Sequence, residues 1–196
     1  RRRVKMRART ACHFFVLAAV CVPITGCALF NSAEFYLGGS RVAVMPFRGT
    51  EGKWYGEDKV ANSIYQRACA VLAQGGARIC QSEKIMNEVV AYDGRLDPPW
   101  VTYGEQLGAD YVIVARLMMW EVGRATAIGY VPGRAMLNVD VYSVADKDVT
   151  FSRVIDVSIG SGESMDDMVS GVEAGKEMLI RLILKRWQEV FIKKAW

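Results

Sequence analysis

The chain has 196 residues, 52% of them hydrophobic, enough for one packed domain plus extras and too apolar for a disordered chain. Its formal charge of +4 misleads: six of the 25 basic residues (Arg1, Arg2, Arg3, Lys5, Arg7, Arg9) and no acids precede Cys27, which leaves 19 basic against 21 acidic residues beyond, a balance of −2. That excludes a basic nucleic-acid binder, and the single histidine, His13, leaves the rest of the chain without Ser-His-Asp or Cys-His chemistry and without the commonest metal ligand.

Residues 1–26 have the three parts of a secretory signal. A basic stretch (Arg1 to Arg9) precedes an apolar run, Phe14 to Val22, which is shorter than the ~20 residues a membrane-crossing helix needs. Ile24-Thr25-Gly26-Cys27 then reads as a lipobox. Small residues let the processing peptidase approach the backbone, and the Cys27 thiolate is the nucleophile for acyl transfer. The mature chain is expected to begin at Cys27, anchored by its acyl groups at roughly 0.8 kcal/mol per buried methylene. Ala28, rather than Asp, follows Cys27, which favours an outer membrane and a periplasm-facing domain.

Residues 27–40 read as a lipidated tether, and Asn31, Ser32, Gly38, Gly39 and Ser40 break any period. Phe35 and Tyr36 are candidates to dock on the domain or to lie near the membrane surface. One domain is expected over 41–196. Residues 41–47 form a buried strand ended by Pro46. The loop 49–56 carries Trp54 and Tyr55. The helix 57–74 turns Val60, Ile64, Ala68, Val71 and Leu72 to one face and is stopped by Gly75-Gly76. A short strand, 77–80, leads to a helix over 83–91 capped by Ser82, with Ile85, Met86 and Val89 inward. A short helix over 101–107 precedes the strongest strand, 111–122, and 123–134 reads as a loop. Strands 136–144 and 149–159 alternate as an antiparallel hairpin. Leu137, Val139 and Val141 face in on the first, with Asn138, Asp140 and Tyr142 out; Val149, Phe151, Ile155, Val157 and Ile159 face in on the second. Arg153, alone on that inner face, is expected to reach an edge. After a break at 160–162, Ser164 and Asp167 suit the start of a helix running to 192, with Met165, Met168, Val169, Val172, Leu179, Ile183, Trp187 and Val190 in a stripe. The order β-α-β-α-α-β-β-β-α predicts an α/β (α+β) domain with a mixed sheet packed by helices.

Three stretches carry a resemblance. They are Val42-Ala43-Val44-Met45-Pro46-Phe47, the run Gly104-Glu105-Gln106-Leu107-Gly108-Ala109-Asp110-Tyr111-Val112-Ile113-Val114, and Leu137-Asn138-Val139-Asp140-Val141-Tyr142-Ser143-Val144. Across most of residues 41–190 the chain resembles the CsgG/LpoB/FlgO-like family of bacterial envelope lipoproteins, with the amino-terminal domain of TolB a more distant relative in fold. Ala115 and Arg116 stand where relatives often have glycine. The resemblance implies a non-enzymatic lipoprotein that binds or assembles with an envelope protein. The alternative it leaves open is a homo-oligomeric component of a secretion, curli-like or flagellar assembly. Pore-forming members add long hairpins, each of more than 20 residues at ~9–11 per barrel strand; the connections 123–134 and 160–162 are too short for that.

Other constellations read as structure. Gly38-Gly39 and Gly75-Gly76 complete no phosphate loop. Asp166 and Asp167 suit a helix start, and Glu88, Asp93 and Asp97 lack calcium-loop spacing. Neither cofactor nor metal is expected. An oxidising compartment permits a bond between Cys69 and Cys80, but Cys69 falls off its helix stripe and Cys80 alternates with Ile79, so both read as small half-buried side chains. Aromatic residues at loops and ends are the candidate partner contacts: Trp54, Tyr55, Trp187, Phe191 and Trp196. The last three place a partner or self-association surface at the end of the final helix. The Cys27→Ser variant should incorporate no labelled palmitate and accumulate as precursor or soluble product; labelling equal to the parent chain would refute the lipobox.

Overall fold

The computed structural model describes residues 34–52, 54, 58–92, 98–126, 129–159 and 172–192. The elements are β1 (Arg41–Val44), α1 (Lys59–Gln74), β2 (Arg78–Cys80), α2 (Glu83–Ala91), α3 (Trp100–Leu107), β3 (Tyr111–Glu121), β4 (Arg124–Thr126), β5 (Gly129–Val131), β6 (Arg134–Ser143), β7 (Asp148–Ser158) and α4 (Val172–Phe191). Five strands form one sheet in the order β2-β1-β3-β6-β7. β1 pairs in parallel with β2 and β3, β3 pairs antiparallel with β6, and β6 antiparallel with β7. The expected mixed α/β architecture is therefore the one observed.

Period-two alternation divides the sheet's residues between two cores. Val42 and Val44 of β1, with Ile113, Ala115 and Leu117 of β3, enter a large core beneath α1 and α4; it also holds Leu137, Val139 and Val141 of β6 at 0% exposure. Ala43 and Met45, with Val112, enter a smaller core on the other face, together with Ile85, Val89, Trp100 and Tyr103. Gly104 makes that second layer possible: a Cβ there would lie 2.5 Å from Val112 and 2.6 Å from Val144 side-chain atoms, so α3 could not sit this close with any other residue. Gly108, at φ +63°, ends the helix in the left-handed conformation, and Asp110 then pairs with Arg41 at 2.8 Å.

Several local expectations change. β1 ends at Val44 because Pro46 has no amide to donate, although Met45 N still donates to Ile113 O at 2.9 Å. The helix start falls at Asp58, whose carboxylate accepts from Val60 N and Ala61 N. Ser82 occupies the cap of α2 without a side-chain cap bond. The expected loop 123–134 contains the β4-β5 hairpin. Val149 is 41% exposed because the register shifts: Val141 opposes Phe151 but Tyr142 opposes Val149. One extra residue, Thr150, turns everything before it to the other face.

The largest departures concern the two ends of the domain. Residues 34–40 pack as part of it: Leu37 is fully buried, and Phe35 N and Leu37 N donate to Val190 O and Phe191 O, satisfying carbonyls that the end of α4 would otherwise leave open. Arg153 reaches its edge and meets Glu34 at 3.2 Å. In α4, Leu179 and Ile183 are buried as the stripe predicts, but the two ends of the described helix differ from the expectation. Val172 is 58% exposed, whereas Trp187 and Phe191 are at 0% and Val190 at 3%. Trp187 and Phe191 are core residues, not partner contacts, because their rings meet edge to face at 4.7 Å and contact Phe47 and Phe151, respectively. Met165, Met168, Val169, Ser164 and Asp167 lie outside the described residues. Trp187→Ala should cost about 3–5 kcal/mol, and truncation after Lys185 should abolish cooperative unfolding; a urea midpoint unchanged in either variant would show that the helix end is dispensable.

Candidate functional site

The same alternation that fills the large core leaves a second face of β3, β6 and β7 to account for. Outward residues on β6 are Asn138, Asp140 and Tyr142; on β3 they are Val114 and Arg116. Among the described residues the smaller core covers this face only around α3. Beyond it Met118 and Val154 are 55% and 48% exposed, and Arg116, Asn138 and Val154 lie side by side across the three strands.

Where α3 stops covering the sheet, a cleft of about 200 Å³ opens, lined by Arg48, Trp54, Trp100, Arg116, Asn138, Asp140 and Tyr142, with Val114 and Ala115 at its floor. Arg48 arrives there by main-chain bonding. Its N–H donates to Ala115 O at 3.1 Å and its carbonyl accepts from Leu117 N at 2.8 Å, so the chain after β1 adds to the far half of β3 and brings Arg48 beside Arg116. The Arg48 guanidinium lies 4.4 Å from the Trp54 ring centre, a favourable cation–π contact. Trp54 in turn meets Trp100 edge to face at 6.5 Å. Asp140 is held in place: Ser152 Oγ donates to it at 2.6 Å and Asn138 Nδ2 at 3.0 Å.

Chemically the cleft offers two guanidiniums, one carboxylate already accepting two hydrogen bonds, an amide, a phenol and an indole wall. Such groups recognise polar and charged surfaces; a single carboxylate so engaged is an organiser of its neighbours. Among the described residues no three His, Cys, Asp or Glu side chains group as metal ligands, and no helix is long and apolar enough to cross a membrane.

Of the residues named from sequence, Trp54 lines the cleft, although at 8% exposure it is mostly buried. Tyr55, Trp196, Cys27, Ile24, Thr25 and Gly26 lie outside the described residues. Trp187 and Phe191 sit across the sheet in the large core. Sequence reasoning missed Arg48 and Arg116 as a pair. The outward phase of Asn138, Asp140 and Tyr142 was legible, but nothing in a linear pattern places residue 48 next to residue 116.

Among the described residues the two cysteines, Cys69 and Cys80, are free thiols. Cys69 accepts from Gln81 Nε2 at 3.7 Å, an amide that also bonds Tyr65. Burial pushes the Cys69 thiol up to about 12.

The fold is that of a mixed α/β domain in which two parallel and two antiparallel pairings share one sheet. No family model and no curated protein matches the chain. Among solved structures it is similar to the PelC dodecamer from Paraburkholderia phytofirmans, at TM-score 0.50 and 14% identity, over 83% of this chain and 94% of that one. Similarity also extends to lipoprotein GNA1162 from Neisseria meningitidis (TM-score 0.47, 10% identity, 75% and 96% covered) and to the LpoB C-terminal domain from Escherichia coli (0.43, 15%, 65% and 88%). At these identities what is shared with PelC is the fold.

Because the thiolate is the reactive form, Cys69 in the folded chain at pH 8 should react with iodoacetamide at least tenfold more slowly than in urea. Equal rates would show that the thiol is neither buried nor held protonated.

Proposed function

We propose that this chain is a membrane-anchored envelope lipoprotein, not an enzyme, that acts by binding a periplasmic protein partner through the open β3-β6-β7 face and its cleft. The lipobox Ile24-Thr25-Gly26-Cys27 supports the anchor, and the export signal before it supports an extracytoplasmic domain. Ala28 favours the outer membrane. The observation that carries the binding role is the cleft itself. The Arg48 main chain is bonded to β3 and its guanidinium lies over Trp54, the Asp140 carboxylate is held by Ser152 and Asn138, and Arg116 lines the cleft with them near exposed Met118 and Val154, a mixture of charge and apolar surface that suits protein recognition. No histidine follows His13, and among the described residues no pair of carboxylates lines the cleft for acid–base work.

A second reading is a homo-oligomeric envelope component. It is supported by the fold shared with a chain that forms a dodecamer. A photo-crosslinking residue at Met118, in the acylated chain in its native membrane, separates the two. One adduct with a different protein, lost when Arg116→Glu is introduced, is the expected result. A ladder at multiples of the chain's own mass would establish the second reading instead. Crosslinking that is indifferent to Arg116→Glu would remove the cleft from the contact.

A further inference from the structure

The point at which the chain enters the domain fixes how the domain can lie on a membrane. Cys27 and Glu34 are seven residues apart, so the lipidated residue and the first described one are separated by at most about 25 Å of extended chain. Glu34 is not a loose end. Its carboxylate pairs with Arg153 of β7 at 3.2 Å, and the next residue donates its amide to Val190 O at 2.8 Å while its ring packs on Phe151 and Tyr111. The tether therefore leaves from the seam between the edge strand β7 and the last turns of α4. A domain of this length has a radius of gyration of about 15 Å and is about 40 Å across. Its reach is shorter than its diameter, so the side opposite the seam cannot be turned down onto the surface that holds the anchor.

The seam side also carries the matching charge. From Arg181 onward α4 presents Arg181, Lys185 and Arg186 outward against Glu189 alone, and Glu177, the acid one turn earlier, is shared by Arg67 and Arg181. Lys185, Arg186 and Leu182 border the groove that α4 forms with Asp156, Val157 and Ser158 of β7. The described face of α4 from Arg181 thus holds three basic side chains against Glu189, and Asp156 across the groove is already paired with Arg134, in a chain whose balance from Cys27 onward is −2. Cations held within a Debye length of anionic headgroups, about 8–10 Å, are attracted to them.

We infer that the outer face of α4 from Arg181 onward, with the β7 edge, is a membrane-facing surface that rests on anionic headgroups of the leaflet holding the Cys27 anchor, and that the cleft is thereby presented away from the bilayer. The inference rests on the lipoprotein reading above. α4 lies on the large-core face of the sheet and Arg116, Met118 and Asp140 on the other, so a partner reaches the cleft without competing with lipid.

The test separates the two claims. Mass analysis of Cys27 from native membranes decides acylation. For orientation, the chain from Cys27 onward, with Cys69→Ala and Cys80→Ala, is coupled through Cys27 to a maleimide lipid in vesicles of phosphatidylethanolamine and phosphatidylglycerol (3:1). A fluorescent amino acid is placed at position 185 or 118, and quenching by headgroup-nitroxide lipid is measured. Quenching at 185 should be at least threefold that at 118. It should fall towards the value at 118 when Arg181→Glu and Arg186→Glu are combined, or when phosphatidylglycerol is replaced by phosphatidylcholine. Equal quenching at the two positions, or stronger quenching at 118, overturns the orientation. An unmodified Cys27 in cells with the expected quenching in the coupled chain would overturn the lipoprotein reading alone.

Discussion

A chain of aromatic contacts through the large core holds the other parts of the molecule in place. Tyr65 of α1 meets Phe47 at 5.6 Å, Phe47 meets Trp187 at 5.7 Å, Trp187 meets Phe191 at 4.7 Å, and Phe191 meets Phe151 of β7 at 6.1 Å. Phe151 passes the contact to Phe35, and Phe35 to Tyr111 of β3. Two helices, two strands, the segment after β1 and the entering segment are thus joined by rings that bury large areas at fixed angles. The indole N–H of Trp187 finds no hydrogen-bond partner among the described residues. Leaving it so costs about 1–3 kcal/mol, which the burial of the ring offsets.

This seam determines where function can reside. With α1 and α4 committed to one face, the opposite face of β3, β6 and β7 is covered, among the described residues, only as far as α3 extends. Asn138, Asp140 and Arg116 are outward because their neighbours in the strand are inward, and Met118, next after inward Leu117, continues that phase into an exposed position. The binding face is therefore a geometric consequence of how the core is filled. Substitutions that loosen the aromatic seam will disturb the cleft through β3 even though none of its residues lines it.

Charged pairs contribute orientation more than stability. Arg41 with Asp110, Arg134 with Asp156 and Arg67 with Glu177 are close, at 2.6–2.8 Å, but each side chain is more than a third exposed. Each carboxyl is held below its usual range, chiefly by the hydrogen bond from its arginine. Solvent screening keeps the stabilisation small. What the pairs fix is register: Arg41–Asp110 joins the starts of β1 and β3, and Arg67–Glu177 sets α4 against α1.

By itself the sequence determined the order of the helices and of the five strands of the main sheet, the inward and outward phases of β6, the faces of α1 and α2, and the mixed sheet, but not the β4-β5 hairpin. These follow from periods of 2 and 3.6 and from short-range punctuation such as Gly75-Gly76 and Gly108, all of which are local. It could not determine which end of the last helix is buried. Trp187 and Phe191 look the same in a linear pattern whether they meet solvent, a partner or Phe47, 140 residues away in the chain. Nor could it place Arg48 beside Arg116, because that neighbourhood exists only once the chain after β1 bonds to the far half of β3. Residues 34–40 read as tether for the same reason: their anchor points, Val190 and Phe191, are supplied by the opposite end of the chain. Tertiary structure alone decided these positions, because the contacts that fix them join segments that composition and periodicity treat as independent.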